Sequence, residues 1–219
     1  MHSYKVDKNM NIVKPRKNNN LIKTNKLLEE IEEDRIENKQ IENINIEEVE
    51  IYDVEIEGTK FANAEITKSK IEKSTFTDVI FENCNFSNTS FENCIFVRCE
   101  FNNCKITGGS FAEARLYNVT FKETNANYIN LSMTSMENVL FENTVLRNSN
   151  FQENNLKNIY FKKADLTQAQ IFKTSLKNID LSESIIEGIA VSIEDIRGAS
   201  INQFQAVDLL YLIGVKIIL

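Results

Sequence analysis

Four cysteines lie close together in the sequence, and they are the first side chains to consider for chemistry: Cys84, Cys94, Cys99 and Cys104. A tetrahedral zinc site needs four ligands that converge on one point, usually with two residues between paired cysteines. Here the intervals are ten and five residues, and each cysteine precedes a Phe or Ile by two positions. The spacing therefore belongs to a repeat, and it predicts free thiols and no metal. A disulfide between Cys84 and Cys104 is geometrically conceivable but would be unusual in the cytoplasm.

The other residues that could support catalysis give no constellation. The single histidine, His2, lies in a polar N-terminal segment, so a histidine-based triad has no base in the body of the chain. No glycine-rich phosphate loop is present, and carboxylates such as Glu82 and Glu92 recur with the repeat and should face water. The sequence predicts a protein that is not an enzyme and needs no cofactor.

Charge and hydropathy restrict the location and the partners. The sequence shows no membrane-length apolar stretch and no signal-peptide core, which predicts a cytoplasmic protein without a membrane span. Residues 1–28 carry seven Lys/Arg against one Asp, whereas residues 29–57 carry two against thirteen Asp/Glu, and the net charge is −7. An acidic body with interior aromatic residues offers no stacking platform, so direct nucleic-acid binding is not expected.

A five-residue repeat organises most of the chain. Every fifth residue from Ile41 to Ile201 is an interior centre, and 32 of these 33 centres are large apolar residues, the exception being Ala126. Neither a helix nor a simple strand has this period. At Ala126 a neighbour could fill the space or the coil could kink, and Gly108–Gly109 indicates a close backbone approach.

The residues around each centre predict how the chain turns. Small or β-branched residues stand two positions before the centres and should also point inward: Val54, Thr59, Ala64, Ser69, Ser74, Val79, Cys84, Thr89, Cys94, Cys99, Cys104, Gly109, Ala114 and Val119. Two positions after the centres, Asn recurs, and Asn tolerates the left-handed backbone that a corner requires. Every fourth centre from residue 61 to 161 is Phe, which predicts a coil of 20 residues with four sides and a ladder of stacked Phe rings.

The pattern A/C/S/T/V-x-[L/F]-x-x, as in Ala164-Asp165-Leu166-Thr167-Gln168, resembles the pentapeptide-repeat family over residues 36–201. That resemblance implies an all-β fold, a right-handed quadrilateral parallel β-helix of about eight coils with a short C-terminal helix. The segment Asp195-Ile196-Arg197-Gly198-Ala199-Ser200-Ile201, followed by Gln205-Ala206, is similar to the C-terminal end of the Qnr-type quinolone-resistance proteins and of other family members.

The ends of the repeat are expected to be capped. Residues 1–20 are predicted to be a disordered basic arm, and residues 21–35 an N-terminal cap, possibly helical, with Leu21, Leu28 and Ile31 on one side. Residues 202–219 are predicted to form a helix and an extended tail with more apolar surface than a cap needs. We therefore expect a homodimer, or a capping helix in a monomer; the interface residues would be Phe204, Val207, Leu210, Tyr211, Ile213, Val215 and Ile217.

Two functions remain open from the sequence. The Qnr-type resemblance implies a DNA-mimicking protein that binds DNA gyrase or topoisomerase IV and protects it from quinolones or natural inhibitors. Carboxylates on the early coils would then replace phosphates. The alternative is a structural or scaffolding protein with an unrelated partner. The carboxylates expected to contact the partner are Glu47, Glu48, Glu50, Asp53, Glu55 and Glu57.

Overall fold

The computed structural model describes residues 10–16, 18, 20–31 and 34–216, which form a parallel β-solenoid of about eight turns followed by short helices. The strands, numbered β1 to β17 in chain order, are Ile22–Thr24, Arg35–Glu37, Lys39–Glu42, Asn45–Glu47, Glu50–Tyr52, Glu55–Glu57, Lys60–Ala62, Glu65–Thr67, Lys70–Glu72, Thr75–Thr77, Ile80–Glu82, Ile95–Asn102, Arg115–Lys122, Ser135–Glu142, Asn155–Lys162, Gln170–Ile171 and Ala190–Val191. The helices are α1 (Leu27–Glu30), α2 (Ile193–Ile196) and α3 (Gln205–Leu209), with a 3₁₀ helix at Leu210–Ile213.

The strands pair in parallel with a register of 20 residues, as the repeat predicts. Phe81 lies opposite Phe61 on one side and Phe101 on the other. Where the sides are too short for a regular strand, isolated bridges such as Asn85 to Lys105 keep the same register. The predicted four-sided parallel β-helix is confirmed.

The predicted ladder of Phe rings is present through the core. Consecutive rings from Phe61 to Phe161 are stacked, with centroids 4.5 to 5.2 Å apart. A second stack joins Phe76 and Phe96 on another side at 4.5 Å. Burial of each ring stabilises the fold by roughly 1.5–3 kcal/mol. Since each coil contacts its two neighbours, this stabilisation accumulates coil by coil along the rod.

The small residues before each centre are buried, and many of them also donate a hydrogen bond. The Thr89 hydroxyl donates to the carbonyl of Ile66 at 2.8 Å, and the Cys94 thiol donates to the carbonyl of Ile71 at 2.9 Å. All four cysteines are buried free thiols, and burial raises the pKa of Cys94 and of Cys99 to about 12. These cysteines therefore fill the interior and bond the coil below, which explains the spacing seen in the sequence.

The corners of the solenoid have the left-handed backbone that the recurring Asn predicts. All the predicted Asn corners have positive φ, as Asn83 (54°) and Asn138 (56°) illustrate. Asn103 donates from its Nδ2 to Oδ1 of Asn83 at 2.8 Å, so corner side chains also bond from coil to coil. Other residue types, among them Met133 (φ 55°), take the same strained conformation at some corners.

The two irregular places in the repeat do not interrupt the solenoid. The backbone N–H of Ala126 donates to the carbonyl of Val145 at 2.8 Å, so the ladder continues through the small centre without a break. At Gly109 a Cβ would lie 2.8 Å from Cγ2 of Ile106 and 3.2 Å from the carbonyl oxygen of Thr89. The close backbone approach expected at this glycine is confirmed.

The N-terminal end differs in detail from the helical cap that the sequence predicts. It consists of strand β1, the single turn of α1 and strand β2, which already pairs with β6 in the solenoid register. Leu27 is buried, whereas Leu28, which was expected on the inner side, is half exposed. The turn is too short to present the expected face, and Leu27 and Ile31 are the residues that contact the core.

Part of the arm expected to be disordered lies against the solenoid. Residues 10–16 are extended, and Pro15 is buried. The backbone N–H of Val13 donates to Oδ1 of Asn118 at 3.1 Å, and that of Arg16 donates to Oδ1 of Asp78 at 3.0 Å. The arm thus runs along one corner of the solenoid, opposite to the direction in which the coils accumulate. His2 lies outside the described residues.

Candidate protein-interaction surface

The four outer faces of the solenoid are named by their interior centres. Face A has centres 41, 61 and every twentieth residue, face B follows from 46, face C from 51 and face D from 56. Neighbouring coils are roughly 4.8 Å apart. A charged side chain therefore reaches its counterpart one coil away, and the outer surface is built from ladders with a step of 20 residues.

Many of these ladders are ion pairs that neutralise the surface. Glu142 on face A pairs with Lys162 at 2.6 Å, and Glu137 on face D pairs with Lys157 at 2.6 Å. The hydrogen bond from Lys162 lowers the pKa of Glu142. Exposed pairs of this kind contribute little to stability, about 0–1 kcal/mol, but they cancel charge that a cationic partner would otherwise meet.

The six carboxylates predicted from the sequence form a belt around one coil instead of a row along the rod. Glu47 and Glu48 lie on face B, Glu50 and Asp53 on face C, and Glu55 and Glu57 on face D. Three of them form ion pairs: Glu47 with Lys68 at 2.5 Å, Glu50 with Lys70 at 2.7 Å and Glu57 with Arg35 at 3.5 Å. The structure therefore does not bring the six together on one surface.

One of the six belongs to a different group that the sequence reasoning missed. Asp53, Glu72, Glu92 and Glu113 follow one another on four successive coils of face C, and we call them the acidic row. Among the described residues none of the four forms an ion pair; Glu92 accepts a hydrogen bond from the Ser110 hydroxyl at 2.8 Å. Reading the outward acids at a period of 20 would have found this row.

The acidic row has a defined extent. Lys73 stands beside Glu72 within it, so the five side chains carry a net charge of −3. Beyond Glu113 the next corner is Met133, which is half exposed, and Glu153 after it pairs with Lys173 at 2.8 Å. With one carboxylate per coil, the row spans about 14 Å along the rod.

The C-terminal helices expose the apolar side chains that the sequence predicts at a dimer interface. Phe204, Val207, Tyr211, Ile213 and Val215 are between 45 and 77% exposed, while Leu210 is half-buried. Ile217 lies outside the described residues. The opposite side of the same segment, with Leu209 and Leu212, packs against the core. The exposed side is thus available for another surface.

The described part of the chain offers no site for other chemistry. It contains no cluster of three or more His, Cys, Asp or Glu side chains that could hold a metal ion. None of its helices has the length and apolar character needed to cross a membrane. What it presents to a partner is the set of outer ladders.

Comparison with known proteins places this geometry in a family. Residues 94–171 match the pentapeptide repeat region, and residues 29–121 match the SV2A/B/C luminal domain. A comparison with curated proteins found no match to this sequence.

Solved structures share the fold. A trypsin-treated variant of QnrB1, a plasmid-mediated fluoroquinolone resistance protein, superposes with a TM-score of 0.51 at 20% identity, over 82% of this chain and 90% of QnrB1. HetL, a pentapeptide repeat protein involved in heterocyst differentiation regulation from the cyanobacterium Nostoc sp., gives 0.39 at 14% identity, over 83% and 91%. The unbroken pentad, the matched repeat region and the shared QnrB1 fold identify this chain as a pentapeptide-repeat protein.

Proposed function

We propose that this protein is a non-enzymatic DNA mimic that binds DNA gyrase or topoisomerase IV and protects the enzyme from quinolones or natural inhibitors. The observation that carries the proposal is the acidic row, in which four carboxylates without ion pairs follow one another along a rigid rod. The fold shared with a fluoroquinolone resistance protein adds support.

The spacing of the acidic row is compatible with the role of a phosphate backbone. One strand of B-DNA carries one charge per 3.4 Å of helix axis, and the row carries one per roughly 4.8 Å. The row is somewhat sparser than DNA, but its carboxylates are held by a β-solenoid and need little ordering on binding. A cationic DNA-binding groove would meet them as a fixed line of negative charge.

Dimerisation through the C-terminal apolar side chains would extend the mimic. Two copies joined end to end double the length of the rod and bury Phe204 and Ile213, which are 77 and 68% exposed in one copy. A homodimer would place one acidic row on each half. We propose this arrangement as the active form.

A gyrase supercoiling assay with ciprofloxacin tests the proposal. The wild-type protein should restore supercoiling, and the triple variant Glu72→Lys, Glu92→Lys and Glu113→Lys should need at least about tenfold more protein. Three lost charge contacts at roughly 0.5 kcal/mol each account for that factor.

The matched control changes three carboxylates on face B that form no ion pair among the described residues, Glu48, Glu65 and Glu187, to Lys. The control has the same net charge as the row variant and should protect as well as wild type. Equal loss in both variants would show that total charge matters and the row does not.

The ion-paired ladders favour a second candidate, a scaffolding protein with a partner unrelated to topoisomerases. Faces A and D carry paired charges such as Glu142 with Lys162 and Glu137 with Lys157, which suit docking on an uncharged protein surface. If the wild-type dimer neither protects nor inhibits gyrase at micromolar concentration, the mimic is wrong and the scaffold is the better account.

A further inference from the structure

The N-terminal arm lies on a corner that departs from the usual corner ladder at the same place. We call the corner of Asn38, Gly58, Asp78, Arg98 and Asn118 the arm edge. On other stretches of corner, Asn bonds to Asn one coil away, as Asn158 does to Asn138 at 2.9 Å. On the arm edge, Arg98 replaces this with two hydrogen bonds to Asp78, from Nε at 2.6 Å and from Nη2 at 2.7 Å.

The acceptors on the arm edge are fixed before the arm is added. Asp78 is 5% exposed, and its carboxylate is held from below by the Arg98 fork. Asn118 is 3% exposed and has positive φ, so its amide is also held by the corner. Gly58 brings no side chain to the edge. The edge therefore presents two immobile oxygens to an incoming backbone.

The spacing of these two oxygens matches an extended chain. Asn118 and Asp78 are two coils apart, or about 9.6 Å, and three residues of extended chain span about 10 Å. Val13 and Arg16, which donate to them, are three residues apart. Between them, Pro15 has no N–H to satisfy and its ring is buried. The segment and the edge are complementary in length, hydrogen bonding and shape.

We propose that the arm edge is a peptide-recognition site and that residues 10–16 of the same chain are its resident, exchangeable ligand. The site reads an extended backbone through two N–H groups spaced three residues apart, a buried proline between them and an arginine beside Asp78. The arm occupies the site in cis, so it withholds this edge from other extended segments while it is docked. The proposal does not depend on topoisomerase binding.

Tethering favours the cis arm over a free peptide. A segment joined to its site by a short flexible linker has an effective concentration on the order of millimolar. A synthetic peptide with the sequence of residues 8–20 should therefore bind the wild-type protein only weakly. Undocking the arm should expose the site to the same peptide.

The first experiment measures binding of this peptide, labelled with fluorescein, to the full-length protein. Val13→Pro removes the N–H that Asn118 accepts and leaves the solenoid unchanged. The peptide should bind this variant at least about tenfold more tightly than wild type, since the cis competitor is weakened. Equal binding to both proteins, or no binding to either at millimolar peptide, would overturn the proposal.

Two glycine substitutions on the same corner test the site itself in the Val13→Pro background. Asn118→Gly removes the acceptor while keeping the left-handed backbone that glycine allows, and it should abolish peptide binding. Asn158→Gly, two coils beyond the arm contact, is the matched control and should leave binding unchanged. If both substitutions weaken binding equally, the edge is not a specific site.

Trypsin cleavage of the full-length protein gives an independent measurement. The bond after Arg16 should be cut at least about tenfold more slowly in the wild-type protein than in the synthetic peptide, because a docked arm cannot enter the protease. Asn118→Gly should remove this protection and Asn158→Gly should not. Cleavage at the peptide rate, or protection that rises with protein concentration and so assigns the site to the arm of a second copy, would contradict cis occupancy.

Discussion

Replacing Phe101 in the middle of the Phe ladder should cost more than replacing Phe161 at its end. Phe101 is fully buried and stacks on Phe81 at 4.5 Å and on Phe121 at 4.8 Å. Phe161 stacks on one ring only, that of Phe141 at 5.2 Å. The comparison therefore isolates the number of stacked neighbours in one repeated environment.

Leucine is the substitution of choice because Leu181 already occupies the next position of the same face and is buried there. A stacked aromatic pair contributes about 0.5–1.5 kcal/mol beyond its buried area. Phe101→Leu should thus lose about 1–3 kcal/mol from stacking, and Phe161→Leu about half of that.

The free energy of unfolding would be measured by guanidinium titration followed by far-UV circular dichroism. The midpoint should fall most for Phe101→Leu, while the slope of the transition stays that of wild type. An equal loss in the two variants would refute the claim that the stacked ladder, and not burial alone, stabilises the rod.

Three further predictions follow from individual side chains. Asn154→Thr should raise the free energy of unfolding by about 1–3 kcal/mol in the same titration, because the buried Nδ2 of Asn154 has no partner whereas Thr at equivalent positions donates to a carbonyl; no gain would contradict this. Phe204→Asp with Ile213→Asp should convert a dimer to a monomer in light scattering, and an unchanged mass would remove the proposed interface. Burial raises the pKa of Asp78, but hydrogen bonds from Arg98 and from the backbone N–H of Arg16 outweigh it and hold the pKa below its ordinary 3.8. Docking of the arm should persist above that value and be lost as the pH falls below it, seen as a shift of the Arg16 amide resonance toward its random-coil position; loss above pH 5 would contradict the assignment.

The repeat could be predicted from the sequence because it is a local rule that the three-dimensional structure obeys. A centre every five residues, a small residue two positions earlier and an Asn two positions later specify strand, interior and corner within each coil. The stacked ring of Phe101 and the left-handed backbone of Asn138 follow directly. In this fold, positions twenty residues apart become neighbours, so the period of 20 also predicts the ladder.

The interaction surfaces could not be predicted as well, for physical reasons. Acidic density along the chain pointed to the belt around residues 47–57, but the relevant neighbours of Asp53 are residues such as Glu72, one coil away. Charges must be compared at the period of the coil, and their ion pairs with the next coil must be subtracted.

The docked arm gave no sequence signal either. Its contacts join backbone N–H groups to Asp78 and Asn118, which stand 62 and 105 residues away from their donors. A polar segment without periodicity is typical of disorder. Only the interruption of the Asn corner by Asp78 and Arg98 marks the site in the sequence.

Competition with DNA for gyrase tests the central proposal most directly. Gyrase would be bound to a fluorescein-labelled duplex, and displacement of the duplex by the full-length protein would be followed by fluorescence anisotropy. The account predicts displacement by wild type that weakens as salt is raised, and loss of displacement in the variant carrying Lys at positions 72, 92 and 113. A duplex that stays bound at saturating wild-type protein, while unlabelled DNA displaces it, would contradict the account.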